Sequence, residues 1–483
     1  MAERGNMSSR REFMKEALAG GGALLFSEYA NAGGLGLTSR ASAVHEDAWL
    51  QVPGILRRIK APVFAKRSFE ITRFGAIAGG TTDCTAAIAE AVAACHKAGG
   101  GRVVVPPGVF LTGAIHLKSN VNLHVSAGAT LKFSSDTAKY LPIVFSRWEG
   151  VELMNYSPFI YAFEQENIAI TGTGTIDGQA DCEHWWPWKA RTECGWKPGD
   201  PNQNKAREAL IAMAEKAVPV SDRVFGEGHY LRPQFIQPYR CKNVLIEGVT
   251  LKNSPMWEIH PVLCTNVTVR SVTINSHGPN NDGCDPESCT DVLIKDCSFD
   301  TGDDCIAIKS GRNADGRRIN VPTSNVVIQG CRMKDGHGGV TIGSEISGSV
   351  RNVFAENCRM DSPHLDRALR LKTNSVRGGV IENIRMRNIE VGQVSDAVVS
   401  IDFNYEEGDA GKFSPVVRNI DVRNLRSAKS KYAVFLRGYK TAPITDIHLS
   451  DCTFAEVAQP NVLQNVQDLS FSRVRMNGKL TAE

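Results

Sequence analysis

From about Asn120 onward the chain repeats one short pattern: Asn or Asp, an apolar residue, any residue, another apolar residue, two of any kind, then apolar, any, apolar. The anchors are Asn120, Asn167, Asn243, Asn266, Asp291, Asn325, Asn352, Asn383, Asn419, Asp446 and Asp468, and from Asn243 they stand 22 to 36 residues apart. A motif recurring at this period marks a solenoid whose loops vary in length. Six residues after these later anchors stand Val249, Val272, Cys297, Cys331, Cys358, Ile389, Leu425, Cys452 and Val474. Eight residues after them stand Leu251, Ile274, Phe299, Met333, Met360, Val391, Phe454 and Met476, with Ser427 as the exception. Short alternating runs bounded by turn residues predict strands rather than helices. The expected fold is therefore all-β, a single-domain right-handed parallel β-helix in which like side chains stack rung on rung and the anchors form a turn ladder.

The flanking segments fit this scaffold. Residues 44–66 have no clear period and contain Pro53 and Pro62, so they read as a linker ahead of a domain spanning 67–483. Phe69–Thr72 alternates like a strand. The run from Thr85 to His96 has helical spacing, with Thr82 or Asp83 as its cap and Gly99–Gly101 as its stop. One amphipathic helix ahead of many strands suits an N-terminal capping helix over the open end of the stack. The repeat lapses between Asn167 and Asn243, where an inserted segment at about 179–232 holds Trp185, Trp186, Trp188, Trp196 and an expected helix from Lys205 to Lys216. These Trp side chains either pack the insertion or, at Trp185 and Trp186, offer apolar walls for sugar rings.

Composition changes the picture in two places. Ser9-Arg10-Arg11-Glu12-Phe13-Met14-Lys15, followed by an apolar run and small-residue sites at Ala30-Asn31-Ala32 and Ala41-Ser42-Ala43, resembles a twin-arginine export signal over residues 1–43. No later run approaches membrane-spanning length, so an exported chain, periplasmic or extracellular and without a membrane anchor once processed, is expected. Thirteen cysteines would then suggest disulfides. Cys297, Cys331, Cys358 and Cys452 share one stacking column, however, and Cys241, Cys264 and Cys289 share another, as buried thiols do; Cys182 and Cys194 are freer to bond. The net formal charge is only +3, with no basic field for nucleic acid.

Chemistry concentrates between Asn280 and Lys372. Asn280-Asn281-Asp282, Gly302-Asp303-Asp304, Gly336-His337-Gly338 and Arg370-Leu371-Lys372 each open or interrupt a short strand. By the apolar phase of those strands, Asp285, Glu287, Lys309, Thr341, Arg370 and Lys372 point outward, and Asp282, Asp303, Asp304 and His337 cluster where strands begin. Carboxylates on adjacent rungs raise one another's proton affinity, which is what acid–base cleavage of an acetal needs. The cations nearby suit an acidic sugar.

These four groups resemble the signatures Asn-Thr-Asp, Gly-Asp-Asp, Gly-His-Gly and Arg-Ile-Lys of glycoside hydrolase family 28, the polygalacturonases, with Asn281 and Leu371 as departures. The resemblance runs from about Phe69 to the C-terminal rungs. It implies a pectin-lyase-like β-helix and an inverting hydrolysis of α-1,4-galacturonosyl linkages in polygalacturonate or pectic oligosaccharides. Asp303 would be the general acid, Asp282 and Asp304 would hold the water, His337 would support the acid, and Arg370 and Lys372 would bind galacturonate. Lys309, Asp285, Glu287, Trp185 and Trp186 are further groove candidates. No metal or other cofactor is implied. The wording around Cys284-Asp285-Pro286 and Gly343-Ser344-Glu345, with the long insertion, resembles bacterial exo-acting members. The competing readings are a relative acting on rhamnogalacturonan or xylogalacturonan, a calcium-dependent pectate lyase-like β-helix, and a non-catalytic polysaccharide-binding β-helix.

Overall fold

The structure, a computed structural model, describes residues 48–481. The export signal and the start of the expected linker lie outside the described residues. From Ser68 the chain coils into parallel strands stacked in three walls. In the first, Val244, Val267, Val292 and Val326 stack in register. In the second, Leu251, Ile274, Phe299 and Met333 do so, as the eight-residue column predicts. The third wall contains Ile306–Ile308, Val340–Ile342, Arg367–Lys372, Ala397–Asp402, Tyr432–Arg437 and Val462–Gln464. Its inward column runs Ile308, Ile342, Leu371, Ile401, Leu436. Single bridges at Cys284–Ile306 and Glu287–Lys309 carry the same wall toward the N-terminus. Alternation puts one set of side chains in a dry interior and the other on the outer face, and the catalytic candidates use the outer one.

The turn ladder is physical. The anchors adopt left-handed backbone, with φ of 66° at Asn120, 56° at Asn243 and 59° at Asn325, a region Asn enters at low cost. Their amides bond rung to rung: Asn167 donates to Asn120 at 3.0 Å, Asn243 to Asn167 at 2.8 Å and Asn266 to Asn243 at 2.6 Å. Asp291 breaks the sequence of donors, because a carboxylate has no N–H to offer Asn266. The backbone N–H of Lys60 bonds to Asn266 Oδ1 in its place at 2.9 Å, and Arg58 makes two bonds to Asp291 at 2.8 and 2.7 Å.

The segment expected to be a loose linker is therefore a strap. Its helix, Val52–Arg58, has Pro53 in the first turn, where the missing N–H is harmless. Val52 and Ile55, with Trp49, pack on Val327 and Phe354 of the first wall. Ile55→Ala is expected to cost about 2 to 4 kcal/mol of docking free energy. Limited proteolysis should then cut within 48–66 while the β-helix stays resistant.

The helix Thr85–Lys97 buries Ala87, Ile88, Ala91, Val92 and Cys95 in the same core as Val103 and Val121, and Asp83 Oδ1 accepts the Thr85 N–H at 2.9 Å. The thiol columns also form as expected, with eleven free cysteines buried among the described residues and a Cys182–Cys194 disulfide. What the periodicity does not reveal is a lobe with its own core. The hairpin Val144–Trp148 and Val151–Asn155 joins the helix Asn204–Glu215 through Trp148, Leu153, Leu210 and Phe225, and this core reaches Met256 and Trp257 on the β-helix.

Candidate active site

The four motifs meet at the corner where the second wall turns into the third. Rung-to-rung backbone bonds fix their order: Glu258 N to Asp282 O at 2.9 Å, Gly283 N to Asp304 O at 2.9 Å, Cys305 N to Gly338 O at 2.8 Å and His337 N to Asp303 O at 3.2 Å. Asn281, fully buried, accepts from Ser276 Oγ and Gly278 N and donates to the Ser254 and Met256 carbonyls, at 2.7 to 3.1 Å, so all of its bonding capacity pins the turn before Asp282. Gly338 is required by contact: a Cβ there would lie 2.9 Å from Asp304 Oδ1 and 2.2 Å from Thr341 Oγ1.

Asp282, Asp303 and Asp304 each place a carboxylate oxygen within 4.8 Å of the other two. Asp304 is fully buried. Its Oδ1 accepts from Thr341 Oγ1 at 2.9 Å and Arg370 at 3.0 Å, and its Oδ2 from Lys372 at 2.6 Å. Burial opposes its charge, but Lys372, Arg370 and Lys309 overcome that and hold its carboxyl well below the usual range. Asp303 Oδ1 accepts from its neighbour's backbone N–H at 3.0 Å and lies 2.9 Å from His337 Nδ1. Burial again opposes the charge, and His337 nonetheless keeps Asp303 low, while its hydrogen bond to Asp303 raises the imidazole to about 8. Asp282 goes the other way. Burial and the Asp303 charge push it up to about 7, so of the three it holds a proton most readily. Of the three side chains, Asp303 is 14% exposed against 4% for Asp282 and none for Asp304, so Asp303 is the one a ligand reaches.

The same geometry can hold a divalent cation. The cluster is already met by three cations of the chain, Lys309, Arg370 and Lys372, so its charge is balanced by fixed side chains.

A sequence model of glycosyl hydrolases family 28 matches residues 226–472, just over half of the 483 residues and the whole of this corner. The chain belongs to glycosyl hydrolases family 28. An exopolygalacturonase of Thermotoga maritima, solved as a crystal structure, is 49% identical and superposes with a TM-score of 0.88, covering 90% of this chain and 97% of its own. An exo-poly-alpha-D-galacturonosidase of Dickeya chrysanthemi is 28% identical over 70% of this chain and 57% of its own, and an endo-polygalacturonase of Pectobacterium carotovorum is 27% identical over 80% and 89%.

Within this family 28 chain the remaining candidates divide. Lys309 contacts Asp282 at 3.6 Å, Asp285 and Glu345 at 3.4 Å, and lies over the Trp257 ring at 4.4 Å. It is buried behind the carboxylates, as is Asp285, whose carboxyl burial and the Asp282 charge push well above the usual range. Neither lines open groove. Glu287 is a correction of the same kind: it faces outward from its strand, but the hairpin covers it, and it pairs with Arg147 at 3.1 Å and His260 at 2.8 Å with no exposure. Trp185 is also corrected. It packs in the core against Tyr140 and Phe159, because the insertion folds down onto the coil. Trp186 remains partly exposed, with its ring over Gly278 and its Nε1 donating to Ser254 O at 2.9 Å, which clamps the insertion beside the catalytic turn.

Sequence reasoning missed the groups that come from loops without a period. Tyr405 sets its ring 5.2 Å from Lys372 Nζ and 5.8 Å from the Arg370 guanidinium. Arg312 bridges Glu149 at 3.2 Å to Glu345 at 3.5 Å, and Arg207 of the lobe helix meets Glu149 at 2.6 Å. Paired charges at distant positions leave no spacing signal.

Proposed function

We propose that the protein hydrolyses α-1,4-galacturonosyl linkages of polygalacturonate with inversion, cutting from a chain end. The observation that carries this is the corner itself: one partly exposed acid, one ionised carboxylate bonded to two cations, and one carboxyl of raised proton affinity beside them, with cations on the adjacent rungs. Asp303 donates to the glycosidic oxygen. Covering it with a sugar removes its remaining water and raises its proton affinity, and two stored protons, on Asp282 and on His337, stand ready to be drawn to it. Asp304 is no nucleophile, since both of its oxygens are bonded to cations. A carboxylate has about four lone-pair sites, and the three bonds to Asp304 leave one for a water held against Asp282. Attack by that water on an α-linked sugar yields the β-anomer, so early NMR spectra of the product should show β-galacturonate, and α-product would overturn the inversion. Arg370 and Lys372 set the cationic side of the groove for a sugar carboxylate.

The exo mode is supported by the lobe, which stands on the third wall beside Lys309 and is tied to it by Arg147–Glu287 and by Glu149–Arg312. Incubation with polygalacturonate in the presence of a chelator should release saturated galacturonate monomer. Saturated oligomers would replace the exo mode by an endo one, and a calcium-dependent unsaturated product would sink hydrolysis altogether. Because Asp282 is raised to about 7, the shared proton is held below that pH and lost above it, so kcat/KM should fall as pH rises past about 7. The same shift stabilises the fold most fully below about pH 4 and is lost as pH rises through 7.

Export is part of the proposal. The twin-arginine signal at 1–43 would place a processed chain, with 67–483 as its catalytic domain, outside the cytoplasm, where polymeric pectin is found. Among the described residues no helix is long and apolar enough to cross a membrane.

A further inference from the structure

The cations of the family signature all approach Asp303 from one direction. Arg370 and Lys372 stand on the rungs that follow it, since Ala307, Thr341 and Arg370 are register neighbours along the third wall. On the other side, toward the N-terminal rungs, the signature supplies no cation, yet a polygalacturonate chain carries a carboxylate on every sugar. The insertion supplies two cations there.

The 3-10 turn Trp186–Lys189 is clamped by Trp186 on Gly278 and Ser254 and by the Gln203 N–H on Trp188 O at 2.8 Å. It ends at Lys189, which is partly buried and has no carboxylate within 4 Å among the described residues. Glu149, the nearest acidic influence besides Asp303, is already met by Arg207 at 2.6 Å and Arg312 at 3.2 Å, so Lys189 is not needed as its counter-ion. Burial lowers the proton affinity of Lys189 with nothing in contact to offset it.

Arg232 stands behind the same turn, fully buried. Its four hydrogen bonds go to Gln203 Oε1 at 3.0 Å, the Pro255 and Pro279 carbonyls at 2.7 Å, and Asn280 Oδ1 at 2.8 Å, all of them neutral. A buried guanidinium satisfied only by neutral acceptors leaves a net positive field, and burial pushes it down to about 9. Its nearest anionic influences are Glu149 and Asp303, neither in contact. Two cations without a contacting anion among the described residues, beside an acidic groove wall, are the electrostatic complement of an anionic ligand.

We propose that Lys189, with Arg232 behind it, forms a second carboxylate subsite that binds a galacturonate unit on the side of Asp303 opposite to Arg370 and Lys372. This rests on the polygalacturonate reading above and adds the residue that anchors the sugar across the scissile bond. It also gives the insertion a chemical role beyond obstruction: it carries the cation that registers the chain end.

Steady-state kinetics on digalacturonate and trigalacturonate, with wild type, Lys189→Gln and Lys189→Arg, test it. Loss of one charge-assisted contact should raise KM of the Gln variant by about tenfold to a hundredfold while kcat moves by less than about threefold, and the Arg variant should recover most of the loss. The salt dependence of kcat/KM should be shallower in the Gln variant. An unchanged KM overturns the subsite, and so does a fall in kcat alone with a displaced pH profile, which would mean that Lys189 acts on Asp303 and not on substrate. Calorimetric binding of trigalacturonate separates this from the function itself. If wild type releases no galacturonate, the hydrolase reading fails, and the subsite still stands or falls on whether Lys189→Gln weakens that binding.

Discussion

Asp303→Asn should lower kcat on polygalacturonate by between about a hundredfold and ten-thousandfold, the range that a positioned general acid contributes. The substitution is nearly isosteric, and an Asn oxygen can still accept the Asp304 N–H that Asp303 Oδ1 accepts at 3.0 Å. The corner should therefore keep its shape and the melting temperature should stay close to that of wild type. What is lost is the most exposed of the three carboxyls. A second readout comes from His337. Its imidazole is raised to about 8 chiefly by the hydrogen bond to Asp303, so in the variant it should titrate near its ordinary value of about 6.5, visible by NMR. Full activity in Asp303→Asn would remove Asp303 from the acid role, and an unmoved His337 would show that the pairing at 2.9 Å does not set its charge.

The coil and the acids were legible in the sequence for one reason: both obey the rung period. The columns at Val249 through Val474 and Leu251 through Met476, the Asn ladder, and the order of Asp282, Asp303, His337 and Arg370 all follow from a repeat whose phase one can count. The failures lie where side chains meet without a period. Glu287 satisfies the outward phase, but phase cannot show that a hairpin from residues 144–155 lies over it and supplies Arg147. For Trp185 the sequence leaves packing of the insertion and a sugar wall both open, and the structure takes the first, with the ring buried against Tyr140 and Phe159. Residues 48–66 looked like a linker because seven helical residues with two prolines nearby give little signal. Beside the apolar contacts of Trp49, Val52 and Ile55, their charged docking point is the single carboxylate in the run of amides from Asn120 to Asn419, Asp291. That substitution was visible in the sequence, and its meaning was not.

Asp304→Asn should lose both activity and stability, which sets it apart from Asp303→Asn. The Asp304 carboxylate is the shared counter-ion of Arg370 and Lys372, at 3.0 and 2.6 Å, and both cations are themselves largely buried. An amide keeps one acceptor and turns the other into a donor facing an ammonium or a guanidinium, so two cations are left without their anion. Breaking a buried pair from one side costs about 3 to 5 kcal/mol, and urea unfolding should show a loss of that order. The pH dependence distinguishes this from a packing defect. A carboxyl held far below the usual range adds its stability at every pH above its unfolded value of about 3.9, and loses it only as pH falls through the folded value. The gap between wild type and variant should therefore be flat from pH 8 to about 5 and narrow below about pH 4; a gap that ignored acid would point to packing instead of charge. In the proposed mechanism Arg370 and Lys372 thus have two duties that pull apart only in such variants, holding the Asp304 carboxylate ionised and meeting the sugar carboxylate. One buried Asp lets a single pair of cations perform both.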